Sequence, residues 1–157
     1  MTKIKHEEAT ILVGAATVHD GHFLLLKRSA SESFLPNVWG IPAGKVEWRE
    51  DPRNACMREL LEETGLRGTV TELIGYTTFV SHRGKAELSN LQLNFLVTVG
   101  DHEVKLDKGS HSEARWISLD DVDSDLLDPF TRKIMIQARD HLERGKGLTT
   151  ASPWTFH

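Results

Sequence analysis

The hydrophobic pattern of the first part of the chain predicts a β-hairpin. β-branched and apolar residues fill positions 9–19, and a second apolar run over 22–28 follows after Asp20-Gly21. Asp-Gly between two such runs is a strong signal for a two-residue turn. The next segment, 29–37, contains three serines, a proline and an asparagine, so we expect a loop there.

Two further segments combine apolar residues with residues that direct the backbone. Residues 38–46 (VWGIPAGKV) hold two glycines and one proline, which is typical of a strand that bends into a tight turn. Asp51 followed by Pro52 predicts a helix start, with an oxygen acceptor at the N-cap and proline at the first helical position. Because Gly65 is a natural C-terminal stop, the pattern predicts a helix over 53–64.

The second half of the chain predicts three more strands and a terminal helix. Residues 68–80 and 87–99 have β-type composition and are joined by a polar connection over 81–86, so we expect them to pair antiparallel. Residues 115–119 predict a short strand, and 128–144 an amphipathic helix. The order of these elements indicates one layered domain of the α+β or α/β class.

Composition narrows the class of protein. The chain has 157 residues, of which 39% are hydrophobic and 27% charged, close to the averages of soluble globular domains. We therefore expect a single domain over 1–157, with the segment after about residue 145 unassigned. Lys and Arg number 19 against 23 Asp and Glu, and the net charge of -4 argues against bulk binding of nucleic acid.

The apolar stretches and the cysteine count bear on location. The longest strongly apolar stretch, 11–18, is much shorter than the roughly 20 residues of a membrane-spanning helix. Glu7 and Glu8 precede it and no small-residue cleavage site follows it, which argues against a signal peptide. The lone Cys56 cannot form an internal disulfide. We expect a cytoplasmic protein that does not bind membranes.

Three glutamates cluster on the predicted helix over 53–64. Glu59, Glu62 and Glu63 stand at i, i+3 and i+4 and share one face. The opposite face is expected to hold Cys56, Met57, Leu60 and Leu61. Like charges at i and i+4 destabilise a helix, so a cation would offset their repulsion. Mg²⁺ prefers carboxylate and phosphate oxygens, whereas the alternative is an ordinary solvated acidic face.

A wider spaced pattern distinguishes these two interpretations. The 23-residue loop-helix-loop over 44–66 has the spacing of the Nudix box, with Gly44, Glu50, Arg58-Glu59-Leu60, Glu62-Glu63 and Gly65-Leu66. The similarity extends to WGIPAGK at 39–45 and to RWISL at 115–119. The chain therefore resembles the Nudix hydrolase superfamily, and its length is similar to that of the small MutT-like members.

The resemblance implies a fold and an activity. Family members fold as an α/β/α sandwich around a mixed β-sheet. They are pyrophosphohydrolases that use water and a divalent metal ion to cleave the diphosphate of a nucleoside diphosphate linked to another moiety. The nucleotide substrate stays open among nucleoside triphosphates, ADP-ribose, dinucleotides and nucleotide sugars. Homodimers are common in the family, so both a monomer and a homodimer are open.

The resemblance also implies a metal site. Glu59, Glu62 and Glu63 match the glutamates that hold Mg²⁺, for which Mn²⁺ is a substitute. Gly44 matches the position whose backbone carbonyl often completes the metal shell. Metal ions bound there would neutralise the diphosphate and lower the pKa of a bound water.

The implied catalytic set is drawn from the same box. Arg58 and Glu50 match the pair that orients the glutamates, and Arg58 can also reach Glu62 at i+4. Glu62 and Glu59 are the alternatives for the general base.

Substrate-binding residues are less specific in their signal. Arg28 and Lys45 are the basic side chains near this chemistry, with phosphate contact and a solvated position as the two alternatives. Trp48 precedes the predicted helix and is the tryptophan that we expect to reach a ligand. Trp39 and Trp116 are expected to pack in strands.

Three positions depart from the family pattern. Ala43 and Arg49 stand where many members have glycine, and Ser110 stands where many relatives have a further glutamate, six residues before Trp116. Nearby acidic alternatives to the missing glutamate are Asp101, Glu103 and Glu113.

Two other functions compete with hydrolysis. A catalytically silent nucleotide-binding sensor would retain the fold, although the intact glutamates argue against it. An isomerase-type relative would need a cysteine nucleophile, and Cys56 lies among apolar residues where a buried role is expected. The eight histidines are dispersed without the paired spacing of a zinc site.

Overall fold

The structure is a computed structural model and describes residues 7–147. The elements of this part are β1 Glu7–His19, β2 His22–Arg28, β3 Trp39–Gly40, β4 Ala43–Lys45, α1 Pro52–Thr64, β5 Gly68–Arg83, β6 Ala86–Val99, β7 His111–Ser118 and α2 Pro129–Gly147. Of the segment left unassigned after residue 145, positions 148–157 lie outside the described residues.

The strands form one mixed sheet. Its order is β3-β2-β1-β6-β5, with β4 paired to β1 and β7 paired to β2. β1 and β6 run parallel, and the other pairs are antiparallel. Because α1 packs on one face of the sheet and α2 on the other, the fold is the predicted α/β/α sandwich.

Alternating side chains of the central strands supply two separate cores. In β2, Phe23 and Leu25 belong to the core under α2, whereas Leu24 and Leu26 belong to the core under α1. All four side chains are at most 1% exposed. A strand that is covered on both faces reads as a continuous apolar run, which explains the unbroken FLLL of β2.

The first predicted hairpin is confirmed, and the second is longer than predicted. Asp20 and Gly21 both have positive φ, 47° and 74°, as a two-residue turn between β1 and β2 requires. In β5 and β6 the pairing continues to Arg83 and Ala86, so the predicted connection over 81–86 was too long. Polar residues there still pair, because the ladder joins backbone groups whatever the side chains.

The chain between β2 and α1 bends twice instead of forming one strand. The predicted strand over 38–46 is divided into β3, which pairs with β2, and β4, which pairs with β1. Pro42 lies at the break, and its carbonyl accepts a hydrogen bond from Ala15 N at 2.8 Å. This step carries the chain to the middle of the sheet, where β4 faces α1.

α1 has the predicted ends but a narrower buried face. Asp51 Oδ1 accepts a hydrogen bond from Arg53 N at 2.8 Å, and Gly65 closes the helix with φ of 72°. Cys56 and Leu60 are fully buried. Met57 and Leu61, expected on the face opposite the glutamates, are 37% and 38% exposed, so only part of that face is buried. One stripe at i and i+4 is enough to reach the sheet.

α2 covers the other face and begins one residue later than predicted. Asp128 Oδ1 accepts a hydrogen bond from Thr131 N at 2.6 Å and caps the helix. Ile134, Met135 and Ala138 are buried in the core between α2 and the sheet. Neither of the two helices described here is long and apolar enough to cross a bilayer.

Candidate active site

The acidic face of α1 lies against β4. Ala43 N donates a hydrogen bond to Glu63 Oε2 at 3.1 Å. Gly44 lies so close to the Glu59 carboxylate that a Cβ at position 44 would overlap it. A residue without a side chain is therefore required at Gly44 for a reason visible in the structure, which is the approach of Glu59.

Arg58 is the centre of a charged network. Its Nε and Nη2 donate to Glu50 Oε2 and Oε1 at 2.8 and 2.9 Å, a bidentate pair. Its Nη1 donates to Glu59 Oε1 at 2.9 Å and to Glu62 Oε2 at 3.2 Å. Nη2 also donates to the backbone carbonyl of Lys45 at 3.0 Å. The planar guanidinium thus uses all five N–H donors, and it joins β4, the following loop and α1.

The carboxylates of this network differ in their pKa values. Hydrogen bonds from Arg58 and from Glu47 N lower the pKa of Glu50 to about 2. Burial raises the pKa of Glu59, although Arg58 opposes the effect. Burial, and then the charge of Glu59, raise the pKa of Glu63 to about 8. Of these three carboxylates, Glu63 is therefore the one whose ionised form is least stabilised by its surroundings, and a bound cation would stabilise it.

The donor set fits a hard divalent cation. Two partly buried carboxylates, Glu59 and Glu63, lie beside the backbone of β4, and oxygen ligands of this kind suit Mg²⁺ or Mn²⁺. Within residues 7–147, no three acidic, histidine or cysteine side chains already converge as a complete metal site. Here Glu59 and Glu62 accept hydrogen bonds from Arg58, while Glu63 accepts one from Ala43 N. The four predicted ligands, Gly44 included, therefore stay a prediction.

The backbone of the loop between β4 and α1 explains why glycine is favoured at position 49, where this chain has arginine. Arg49 has φ of 62°, the left-handed region in which glycine is favoured, so a glycine at this position would relieve strain. The turn brings Glu50 back towards its own loop, where Glu50 Oε1 accepts from Glu47 N at 3.1 Å. Trp48 is 92% exposed on the same loop.

A cavity of about 380 Å³ opens beside the acidic face. Arg28 and Ala43 are among its lining residues, and its aromatic part consists of Trp39 and three phenylalanines, namely Phe34, Phe79 and Phe130. The rings of Phe34 and Phe79 stack with centroids 5.8 Å apart, and Phe130 meets Phe79 edge-on at 6.1 Å. The phenylalanines come from three separate elements, so spacing along the sequence carries no signal for them as a group.

The predicted substrate-binding residues have different positions. Arg28 lines the cavity, where its guanidinium donates to the Phe34 carbonyl at 2.7 Å and to Glu32 at 3.3 Å. Its charge also lowers the pKa of Glu63, against the larger effect of burial. Lys45 and Trp48 are exposed and are not among the residues that line the cavity. Of the three, Arg28 has the position expected of a substrate contact.

The other tryptophans pack as predicted. Trp39 lies under the Arg115 guanidinium, 5.2 Å from the ring centre, and packs against the core under α2. Trp116 packs against the core under α1 and donates from Nε1 to the His102 carbonyl at 2.9 Å.

The position of the missing family glutamate has a structural role. The Ser110 carbonyl accepts a hydrogen bond from Ser29 N at 2.8 Å, which ties the start of β7 to the end of β2. Of the acidic alternatives, Asp101 and Glu103 lie in the loop after β6, and Glu113 lies opposite Lys27 in β7. None of these positions belongs to the network around Arg58.

Cys56 is not placed as a nucleophile. It lies on the buried face of α1 with no exposed surface, and burial raises the pKa of its thiol to about 12. A thiol in this state is not ionised near neutral pH, so the isomerase-type alternative loses its cysteine.

Comparison with known proteins decides the family. A family model described as NUDIX domain matches residues 9–138. The chain belongs to the Nudix hydrolase family. The Nudix nucleoside triphosphatase NudI of Escherichia coli (strain K12) is 30% identical over 125 residues, which cover 74% of this chain and 87% of that protein.

Two further matches differ in extent. The crystal structure of a MutT Nudix hydrolase from Burkholderia pseudomallei superposes with a TM-score of 0.69 at 27% identity, over 83% of this chain and 98% of that one. The m7GpppN-mRNA hydrolase NUDT17 of Xenopus laevis is 54% identical over 44 residues. That match covers 28% of this chain and 15% of that protein, so it is a local similarity.

Proposed function

We propose that this Nudix hydrolase is a divalent-metal-dependent pyrophosphohydrolase that cleaves the diphosphate of a nucleoside diphosphate linked to another moiety. One observation carries the proposal: a cavity lined by aromatic rings extends to Ala43, the residue of β4 that binds a carboxylate of the acidic face of α1. Ala43 lines that cavity and its N–H holds Glu63, while Phe79 and Phe130 line the same cavity. A nucleotide has the matching division into a charged phosphate end and a planar base.

The metal would be held by Glu59, Glu62 and Glu63 with the Gly44 carbonyl. When bound, a divalent ion neutralises phosphate oxygens and lowers the pKa of a water. The protein's own contribution is orientation, because Arg58 fixes Glu59 and Glu62 relative to β4 through its five donors. Glu62 is the exposed member of the three glutamates, which favours it over Glu59 as the group that accepts a proton from water.

Arg28 supports the phosphate end of the proposal. Its guanidinium lies in the cavity near Glu63 and carries the positive charge that a diphosphate needs. The name of the E. coli relative, a nucleoside triphosphatase matched over most of its length, favours nucleoside triphosphates as the first substrates to test.

The test is a hydrolysis panel with purified protein. Phosphate and pyrophosphate release would be measured with nucleoside triphosphates, ADP-ribose, dinucleotides and sugar nucleotides, in Mg²⁺, in Mn²⁺ and in EDTA. We expect turnover that EDTA abolishes. Absence of turnover on the whole panel, with nucleotide binding still measurable, would favour the silent sensor instead.

Location and assembly complete the proposal. A cytoplasmic location rests on the lone, buried Cys56. Gel filtration with light scattering would give the mass of one chain or of two, and so decide between the monomer and the homodimer.

A further inference from the structure

Three buried amides stand in a row on β6. Asn90, Gln92 and Asn94 occupy alternate positions on the face that α2 covers, with exposed fractions of 4%, 5% and 0%. Further along the same face, Leu96 belongs to the apolar core. A buried amide destabilises a protein unless its hydrogen-bonding groups are satisfied, so the row needs an explanation.

A chain of hydrogen bonds sets the orientation of Gln92. Asn94 Nδ2 donates to Thr77 Oγ1 at 3.3 Å, which leaves Asn94 Oδ1 as an acceptor. Gln92 Nε2 donates to that oxygen at 2.8 Å. The nitrogen of the Gln92 amide therefore points along the strand towards Asn94, and its carbonyl oxygen points elsewhere.

The neighbouring strand makes room for this pair of amides. Gly14 of β1 is paired with Asn94. A Cβ at position 14 would lie 2.5 Å from Asn94 Oδ1 and 2.7 Å from Gln92 Nε2, closer than real Cβ contacts allow. Gly14, Thr77 and Asn94 thus come from three different strands, and all three contribute to one orientation of Gln92.

Gln92 also lines the cavity beside the acidic face. Among the described residues the Gln92 amide makes one hydrogen bond, from Nε2, and its Oε1 is left accessible to the cavity although the residue as a whole is 95% buried. Asp128, which lines the same cavity, uses Oδ1 to accept from Thr131 N. Beside the aromatic rings, the cavity therefore presents hydrogen-bond acceptors to a ligand.

We propose that Gln92 is a specificity-determining residue that accepts a hydrogen bond from the exocyclic amino group of a purine base. The inference rests on the proposed function, since it assigns the base of the substrate to the aromatic part of the cavity. A planar base can lie against Phe79 or Phe130 and present an amino group to Gln92 Oε1. Thr77, Asn94 and Gly14 are positioning residues, because they act through Gln92.

The test measures binding of nucleotide pairs that differ only in an amino group. The probes are AMP against purine riboside monophosphate and GMP against inosine monophosphate, titrated calorimetrically into the wild-type protein and Gln92→Met. We expect the wild type to prefer the amino-bearing member of at least one pair by about tenfold, and the variant to bind both within about twofold. Equal binding of both members of both pairs by the wild type would overturn the proposal.

The positioning residues have their own test. Thr77→Val and Asn94→Ala are expected to reduce the preference for the amino-bearing nucleotide without contact with the ligand. Asn90→Ala is the matched control, because Asn90 is equally buried on the same strand face but bonds to the Phe79 carbonyl and Ser81 and is not among the residues that line the cavity. Should the control lose the preference as well, the row would serve only the integrity of the sheet.

Binding separates this inference from the proposed function. A wild-type protein that hydrolyses nothing but prefers the amino-bearing nucleotides contradicts the hydrolase proposal alone. A protein that hydrolyses nucleotides without any such preference contradicts the role of Gln92 alone. If Gln92→Met does not fold, judged by circular dichroism, Gln92→Leu replaces it, because leucine is of similar size and also lacks an acceptor, with the same expected loss of preference.

Discussion

The two polar networks beside the cavity are built in opposite ways. The network around Arg58 consists of charged groups, and its members lie between Gly44 and Glu63 in the sequence. The amide network of Thr77, Asn94 and Gln92 is neutral, buried between the sheet and α2 except where Gln92 lines the cavity, and assembled from separate strands.

The difference shows how a site can divide its tasks. Charge-assisted bonds from one guanidinium hold several carboxylates close together in spite of their repulsion, which suits an acidic site for cations. Neutral amides in a dry setting carry no charge to attract a cation, but their directions are sharply defined. The first network is therefore suited to binding a metal for hydrolysis, and the second to selecting the base of the substrate. Substitutions can disturb each network separately.

The largest expected effect comes from the charged network. Glu63→Gln should reduce turnover by about 100-fold or more, because it removes a carboxyl group that is proposed to ionise and bind the metal. Steady-state rates at saturating Mg²⁺ would measure the loss. Glu47→Gln is the control, since Glu47 is an exposed neighbour 3.8 Å from Arg58 and should stay within about twofold of wild type. Equal rates in wild type and Glu63→Gln would contradict the assignment.

The orienting residue should give the next largest effect. Arg58→Lys is expected to lower turnover by about 10- to 100-fold, since an ammonium group cannot make the bidentate pair to Glu50 while also reaching Glu59 and Glu62. Mg²⁺ titrations of activity would show weakened metal dependence. Arg53→Lys, an exposed change of the same type in the first turn of α1, is the matched control. Unchanged Mg²⁺ dependence in Arg58→Lys would show that the network does not orient the site.

A substitution in the amide network should lower the free energy of unfolding. Asn94→Ala removes the acceptor of Gln92 Nε2 and the donor to Thr77, and it should lower the free energy of unfolding by about 1–3 kcal/mol. Urea denaturation would measure this change. The effect of Asn94→Ala is expected to be the same at pH 6 and pH 8, because amides do not titrate. A strong dependence on pH would mean that the two networks are coupled.

The smallest expected effect concerns acid, and it lies outside both networks. Glu50 is not the source of this effect, because its pKa of about 2 keeps it ionised down to pH 5. The titrating group is His111. Burial, and then the charge of Arg28, lower the pKa of His111, whereas Glu32 and Asp107 oppose this shift. At this histidine the unfolded chain binds a proton before the folded one does, so the contribution of His111 to stability should fall as the pH drops below about 6.5. Glu63 acts in the opposite direction, because its raised pKa makes the folded chain bind a proton more tightly than the unfolded one.

Unfolding midpoints between pH 7 and pH 5 would test this prediction. The stability of the wild type relative to His111→Gln should fall as the pH is lowered across this interval, whereas the exposed His82→Gln should follow the wild type. Identical pH profiles for His111→Gln and wild type would assign the acid sensitivity to another group.

The sequence predicts much of the fold because local signals agree with the tertiary structure. Asp20-Gly21, Asp51-Pro52 and Gly65 mark turns and helix ends through their own backbone preferences, and the structure confirms each of them. The predictions that failed depend on contacts. The division of the predicted strand over 38–46 depends on which strand each half pairs with, and the pairing at the β5–β6 tip depends on the partner strand.

The same distinction applies to the site. The acidic face, Gly44 and Arg58 share one loop and one helix, so spacing alone could bring them together. Phe79 and Gln92 meet because β5 and β6 pair antiparallel, and Phe34 joins them because β1 and β6 pair in parallel and the loop after β2 lies over the sheet. No periodicity within a single segment encodes that meeting, and the exposed position of Trp48 likewise depends on the turn at Arg49.

Gly14 has a consequence for the evolution of this chain. Its missing side chain leaves the space that the amides of Gln92 and Asn94 occupy, so a larger residue at position 14 is compatible only with smaller residues at those positions. Among homologues, positions 14, 77, 92 and 94 should therefore change together, whereas positions 44, 50 and 58 should change only when the hydrolytic activity is lost. We expect these four positions to covary as one set, so that substrate preference can diverge while the hydrolytic chemistry is retained.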